Sequence, residues 1–290
     1  MMRKIKLAVA SGKGGVGKSM VASSLALWLS QRFSLVAVDA DVDAPNLHLW
    51  LGQGEDWDET EEMVGSEKAV VVKEKFAGAS LCPRRCPFGA LQWERGRLRV
   101  NRYFCEGCGA CVELCLPGAI EMVSQKNALL RVRNDAGGFP LVSGQLYPGE
   151  SGSGRVVDRL MERAEKFNLP LMVIDAPAGT GCPVIAALRR AQGAILVTEP
   201  TPSGRSDLRR VLAVVSYFHL PFWLIVNKWD LFPDFTKKIM REYEGKILGK
   251  ISYDQRIFDS LSRLEPVLKT SLPVKRELEK IFLRLEKKMF

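Results

Sequence analysis

Eight consecutive residues constrain this chain more than any others: Gly12-Lys13-Gly14-Gly15-Val16-Gly17-Lys18-Ser19. They satisfy G-x-x-x-x-G-K-[ST] and lie between an apolar run at 4–10 and a stretch at 20–29 whose apolar residues recur at helical spacing. Strand, glycine-rich loop and helix are the setting in which that spacing has physical meaning. Glycines let successive backbone N–H groups converge on one point, and the helix N-terminus adds its positive end, so the loop suits phosphate oxygens. Lys18 is placed to neutralise phosphate charge and Ser19 to offer a hydroxyl to Mg²⁺.

The rest of the sequence extends that unit. Short apolar runs predict strands at 34–38, 171–175, 194–198, 222–227 and 247–251, with helices between them and a last helix at 273–288. Strands with so little alternation are buried on both faces, which predicts an α/β fold: a mostly parallel, doubly wound sheet flanked by helices. The acidic, polar stretch 51–70 reads as loop or short helix, with a further strand at 69–72. Six glycines within 134–155 predict a turn-rich connection. No apolar run approaches the ~18 residues of a membrane span. The N-terminus reaches a strand within four residues and shows no secretory leader, so a cytoplasmic location is expected. The net charge of +9 suits an acidic partner or simple solubility. No basic pattern interleaved with aromatics points to nucleic acid.

Six of the seven cysteines fall within 82–115. Cytosolic thiols stay reduced, so such clustering favours metal ligation. Cys105-x₂-Cys108-x₂-Cys111-x₃-Cys115 has bacterial ferredoxin spacing, in which three close thiolates bind one cubane and the fourth serves another. Upstream, Cys82 and Cys86 keep half of such a run, and Phe76 and Ala79 stand where its other ligands would be. Crossed ligation then leaves Cys86, Cys105, Cys108 and Cys111 as one complete set for a single [4Fe–4S] cluster, and Cys82 and Cys115 as a remnant second site. Leu116 where proline is usual, with Pro117 displaced, fits that remnant. Zinc remains the rival ion for four thiolates. The cysteine module is placed at 74–126, between nucleotide-domain segments 1–73 and 127–290.

The extra Lys13 makes the loop resemble the deviant Walker A of the MinD/ParA and nitrogenase-iron-protein class of P-loop ATPases. Residues 38–47, with Asp39, Asp41, Asp43 and Asn46, look like that class's first switch, and residues 173–179, with Asp175, like its second. The resemblance implies ATP and Mg²⁺ as cofactors, a homodimer on ATP, and Lys13 reaching the partner's phosphates. Lys13, Lys18, Asp41 and Asp175 would be catalytic, Asp41 orienting the attacking water, with Ser19, Asp41 and Asp175 around Mg²⁺. These aspartates could instead cap helices. Gly12, Lys13, Gly14, Gly15, Val16, Gly17, Lys18, Ser19, Met20, Asn227, Tyr253 and Asp254 would contact the nucleotide. Asn227 through Asp230 also has the NKxD form of guanine readers, which keeps a GTPase open. With the cysteine run, the chain resembles MinD-superfamily ATPases carrying a small inserted ferredoxin-like α+β module, relatives of Fe–S carrier ATPases. That implies ATP-gated electron transfer, or iron–sulfur or metal cofactor delivery, toward a redox or apo-metalloprotein acceptor. The alternative is a spatial or membrane-associated regulator with a redox-sensing cluster, although the apolar stripe of the last helix is expected to pack on the sheet. Cys182, seven residues past Asp175, sits at the offset of a cluster ligand in nitrogenase iron protein, but is expected as a buried structural thiol.

Overall fold

Strand β1 (Ile5–Ser11) leads into the glycine loop, and it runs in parallel register between two later strands, Ala8 opposite both Ile174 and Ala194. The computed structural model describes residues 4–72, 82–115 and 118–289, with the backbone alone at residues 82 and 83. Two compact units emerge, Met1–Thr60 with Leu130–Gln145 and Ser153–Phe290, and Glu61–Leu129 with Leu146–Gly152.

In the first unit β1 leads through the loop into α1 (Lys18–Leu29), then β2 (Leu35–Asp39) and the single turn α2 (Leu47–Trp50). Two long strands, β3 (Glu59–Val71) and later β6 (Ile120–Arg133), each have residues in both units. In the second unit β4 (Leu91–Glu94) and β5 (Arg97–Val100) form an antiparallel hairpin, followed by α3 (Ala110–Leu114). The first unit resumes with β7 (Leu141–Leu146), α4 (Ser153–Glu165), β8 (Leu171–Ala178), α5 (Cys182–Arg189), β9 (Gly193–Thr198) and α6 (Pro202–Tyr217). It ends with β10 (Phe222–Asn227), α7 (Pro233–Glu242), β11 (Ile247–Ile251), α8 (Arg256–Ser262) and α9 (Pro273–Met289).

The sheet order β11-β10-β9-β1-β8-β2-β7 is parallel at each of these pairings, as the near-continuous apolar strands require. Its centre is dry: Ala8, Val9, Val38, Ile174 and Leu196 are fully buried. Leu278, Ile281, Phe282 and Leu285 of α9 recur every three or four residues and enter the same core. The apolar face of the last helix is therefore spent on packing. Among the described residues no helix is long and apolar enough to cross a membrane.

Two expectations are corrected. The stretch 51–70 is mainly strand, not loop or short helix. Its first residues are exposed and held by charge, Glu59 to Arg163 at 2.8 Å and Glu62 to Lys126, so the apolar alternation of an ordinary strand is missing. The segment 134–155 contains β7, whose Leu141 and Val142 are fully buried beside β2. Gly144 breaks the strand pattern because a side chain there would meet Leu160 of α4 at 2.7 Å.

Candidate functional site

The phosphate loop is fixed from below. Gly17 has φ +89°, and a Cβ there would lie 2.4 Å from Asn227 Nδ2, so only glycine fits. Asn227, at the end of β10, donates from Nδ2 to Val16 O at 2.8 Å and accepts Lys228 N–H at 2.9 Å. It braces the loop, while also lining the cavity beside it. That cavity, of about 220 Å³, is bounded by the loop, Met20, Asp41, Trp50, Tyr253 and Phe258. Asp254 lines it too, but turns its carboxylate to Arg256 at 2.7 and 2.9 Å, which holds that carboxyl below the usual range.

Beneath the loop lies a buried charge cluster. Lys18 Nζ donates to Asp175 Oδ1 at 2.7 Å and to Ser19 Oγ at 3.3 Å, and stands 3.6 Å from Asp41 Oδ2. Burial works against its charge, yet Asp175, Asp41 and Asp39 together raise its proton affinity above that of an ordinary lysine. Asp39 accepts Leu47 N–H at 2.9 Å and Asp41 N–H at 3.3 Å, shaping the turn that carries Asp41. Full burial, then the neighbouring Asp175, push the Asp39 carboxyl up to about 8. Burial likewise raises Asp41, with Lys18 opposing. Asp175 Oδ2 is buried with no hydrogen-bond partner among the described residues. An orphaned carboxylate oxygen beside a serine hydroxyl and a second carboxylate suits the hydrated shell of Mg²⁺. The loop after β8 is tied back by Gly179 N–H to Ser11 O at 2.9 Å.

Lys13 is not in this cluster. Its ammonium is paired with Glu199 and lies 3.5 Å from Ser203 Oγ. The second oxygen of Glu199 faces Lys228 Nζ at 3.4 Å, and Lys228 also donates to Gly15 O at 3.1 Å. Burial of Glu199 opposes its ionisation, but the two lysines bring its carboxyl below the usual range. Glu199 follows β9 directly, and Thr201 after it caps α6 by accepting Gly204 N–H at 2.9 Å. Sequence reasoning assigned Glu199 no role, since one carboxylate in a Pro-rich loop has no signature of its own. Nor could it find Trp50 and Phe258, whose aromatic side chains line the cavity from α2 and α8.

In the second unit, Cys86, Cys105, Cys108 and Cys111 line one small cavity together. Cys105 is buried, Cys86 and Cys111 are half-buried and Cys108 is exposed. Backbone N–H groups approach two of the sulfurs, Ala69 to Cys105 Sγ at 3.4 Å and Ala90 to Cys86 Sγ at 3.3 Å. Burial and the nearby Cys105, Cys108 and Cys86 raise the Cys111 thiol. Cys115 is absent from that lining and packs on the small core of Ala69, Leu91, Leu98 and Ile120. The Cys82 side chain, Phe76, Ala79, Leu116 and Pro117 lie outside the described residues. Among the described residues no three His, Cys, Asp or Glu side chains converge tightly enough to hold a single ion. Cys182 is exposed at the first turn of α5, which corrects the expectation of a buried thiol.

Comparison with known proteins adds to this geometry. Residues 7–267 match the CobQ/CobB/MinD/ParA nucleotide binding domain. The uncharacterized protein MJ0578 of Methanocaldococcus jannaschii is 35% identical over 257 residues, covering 89% of this chain and 84% of that protein. An iron-sulfur cluster carrier protein of Pyrococcus abyssi is 25% identical, over 87% of this chain and 75% of its own. The crystal structure of the cell division ATPase MinD of Pyrococcus furiosus is similar at a TM-score of 0.61 and 19% identity, covering 99% of this chain and 100% of that one. At that identity the likeness speaks for the fold alone.

Proposed function

The chain belongs to the CobQ/CobB/MinD/ParA nucleotide-binding family, whose P-loop ATPases hydrolyse ATP, and from that premise we propose an ATP-driven switch coupled to a [4Fe–4S] cluster held by its own cysteines. The observation that carries this reading is the convergence of Cys86, Cys105, Cys108 and Cys111 on one cavity, with Cys115 left out. Four thiolates on a cubane sit at the corners of a body larger than one ion, and four cysteines lining one cavity support that reading. The N–H groups of Ala69 and Ala90 would stabilise the sulfurs they face. When bound, such a cluster supplies one-electron chemistry.

On the nucleotide side, the loop amides and Lys18 hold phosphate, and Ser19, Asp41 and Asp175 are the residues that would hold Mg²⁺. Lys18 now points at Asp175 and Asp41, so binding the nucleotide turns its ammonium toward phosphate and frees both carboxylates. Members of the family commonly dimerise on ATP. A dimer would draw Lys13 from Glu199 to the partner's phosphates, where it offsets developing charge. Adenine is the base proposed for the cavity. Asp230, the residue that would read guanine, accepts Tyr253 N–H at 2.7 Å and is not part of the cavity wall.

A full set of four protein thiols favours retention of the cluster, hence ATP-gated electron transfer. Cluster delivery is the second reading, favoured by the relatives named iron-sulfur cluster carrier proteins. Iron and sulfide counted per chain after anaerobic purification test the cluster itself, with about four of each expected. Incubation with an apo-ferredoxin separates the outputs: an electron carrier keeps its iron, and a delivery protein loses it to the acceptor.

A further inference from the structure

The second unit has a groove of about 950 Å³ that the function above leaves unused. Lys68 and Val70 of β3, Trp93 of β4, Arg97 and Arg99 of β5, and Arg102 line it. Four of these six side chains are basic, and the described lining contains no aspartate or glutamate. Arg97, Arg99 and Arg102 are exposed. Glu150, itself nearly buried, lies 2.9 Å from Arg102 and 3.5 Å from Lys68, and Glu94 lies 3.4 Å from Arg99, whereas Arg97 has no ion-pair partner among the described residues. Among these charges Val70 and Trp93 offer apolar surface, 44% and 41% exposed. Four basic side chains against two carboxylates leave a net positive field over whatever enters.

The groove shares a wall with the thiol cavity, since Ala69 and Val100 line both. Ala69 N–H reaches Cys105 Sγ, and Lys68 Nζ donates to Cys105 O at 2.8 Å. Whatever occupies the groove therefore lies one residue from Cys105.

We propose that this groove docks an acidic segment of the protein that the cluster serves, which rests on the function proposed above and names the chemistry of its partner. Arginines at the rim steer and orient the partner, while Trp93 and Val70 supply apolar contact that charge alone lacks. Nucleic acid carries the same sign of charge, but the adjoining thiol cavity calls for a protein partner at close range.

The test uses the full chain purified anaerobically, with iron counted on the same sample so that the fate of the cluster is read apart from that of the groove. Binding of a labelled acidic ferredoxin is measured for wild type, for Arg97→Glu with Arg99→Glu, and for Arg263→Glu with Lys287→Glu as an equal charge change elsewhere. The groove variant is expected to bind about tenfold more weakly while the control stays within about twofold of wild type, with MgATP binding and circular dichroism unchanged. No binding by wild type, equal loss in both variants, or tighter binding of a labelled single-stranded oligonucleotide that displaces the ferredoxin would overturn the proposal.

Discussion

Replacing Asp39 by Asn should remove a pH dependence built into the nucleotide-free protein. Asp39 is fully buried beside Asp175, and its carboxyl is pushed up to about 8 from an ordinary 3.8. In the unfolded chain it ionises near its ordinary value, so between about pH 4 and pH 8 the folded state holds a proton that the unfolded state has lost. Stability from this group is thus full below about pH 4 and is lost as pH rises toward 8. At about 1.4 kcal/mol for each tenfold in proton affinity, the loss is on the order of 3 kcal/mol at pH 6 and 6 kcal/mol at pH 9. Asparagine cannot ionise, and gives back about 1 kcal/mol by serving the Leu47 and Asp41 N–H groups less well. Urea unfolding followed by circular dichroism, without Mg²⁺ or nucleotide, should show Asp39→Asn more stable than wild type at pH 6 and the gap widening toward pH 9. Parallel curves, or a variant less stable than wild type at pH 9, would refute the reasoning.

Other perturbations have sharper functional signs. Lys18→Ala should abolish nucleotide binding measured by calorimetry, whereas Lys13→Ala should retain it and lose about 10³-fold in hydrolysis; equal loss of binding in both would count against the dimer role of Lys13. Glu199→Gln should release Lys13, and with about 1 kcal/mol for each of two partly exposed pairs, ATP-dependent dimers should tighten up to about thirtyfold in sedimentation. Cys86→Ser should remove the absorption near ~400 nm expected of a cubane, while Cys115→Ser should leave it nearly intact.

What the sequence made legible follows physical locality. The phosphate loop is readable because all its determinants sit within a few residues of Gly17, and the parallel core because strands such as β8 and β9 carry unbroken apolar runs, at 171–174 and 194–197. β3 was hidden because glutamates paired with Arg163 and Lys126 replace the apolar face that would mark it. β7 was hidden by Gly144, whose purpose is visible only once Leu160 lies against it. At the site, Asp41 and Asp175 could be named from the switch motifs they resemble, but the resting pairs could not. Lys18 with Asp175, Lys13 with Glu199 and Asp230 with the Tyr253 backbone are each long-range contacts. The exposure of Cys182 at the start of α5 likewise depends on packing that no local pattern records.

The most direct test of the central claim is a redox titration of the visible absorption of the anaerobic protein, first with MgADP and then with a non-hydrolysable Mg–ATP analogue. If nucleotide and cluster work as one device, the midpoint potential shifts between the two nucleotides. Superimposable titrations would mean that the two sites share a chain without sharing a function.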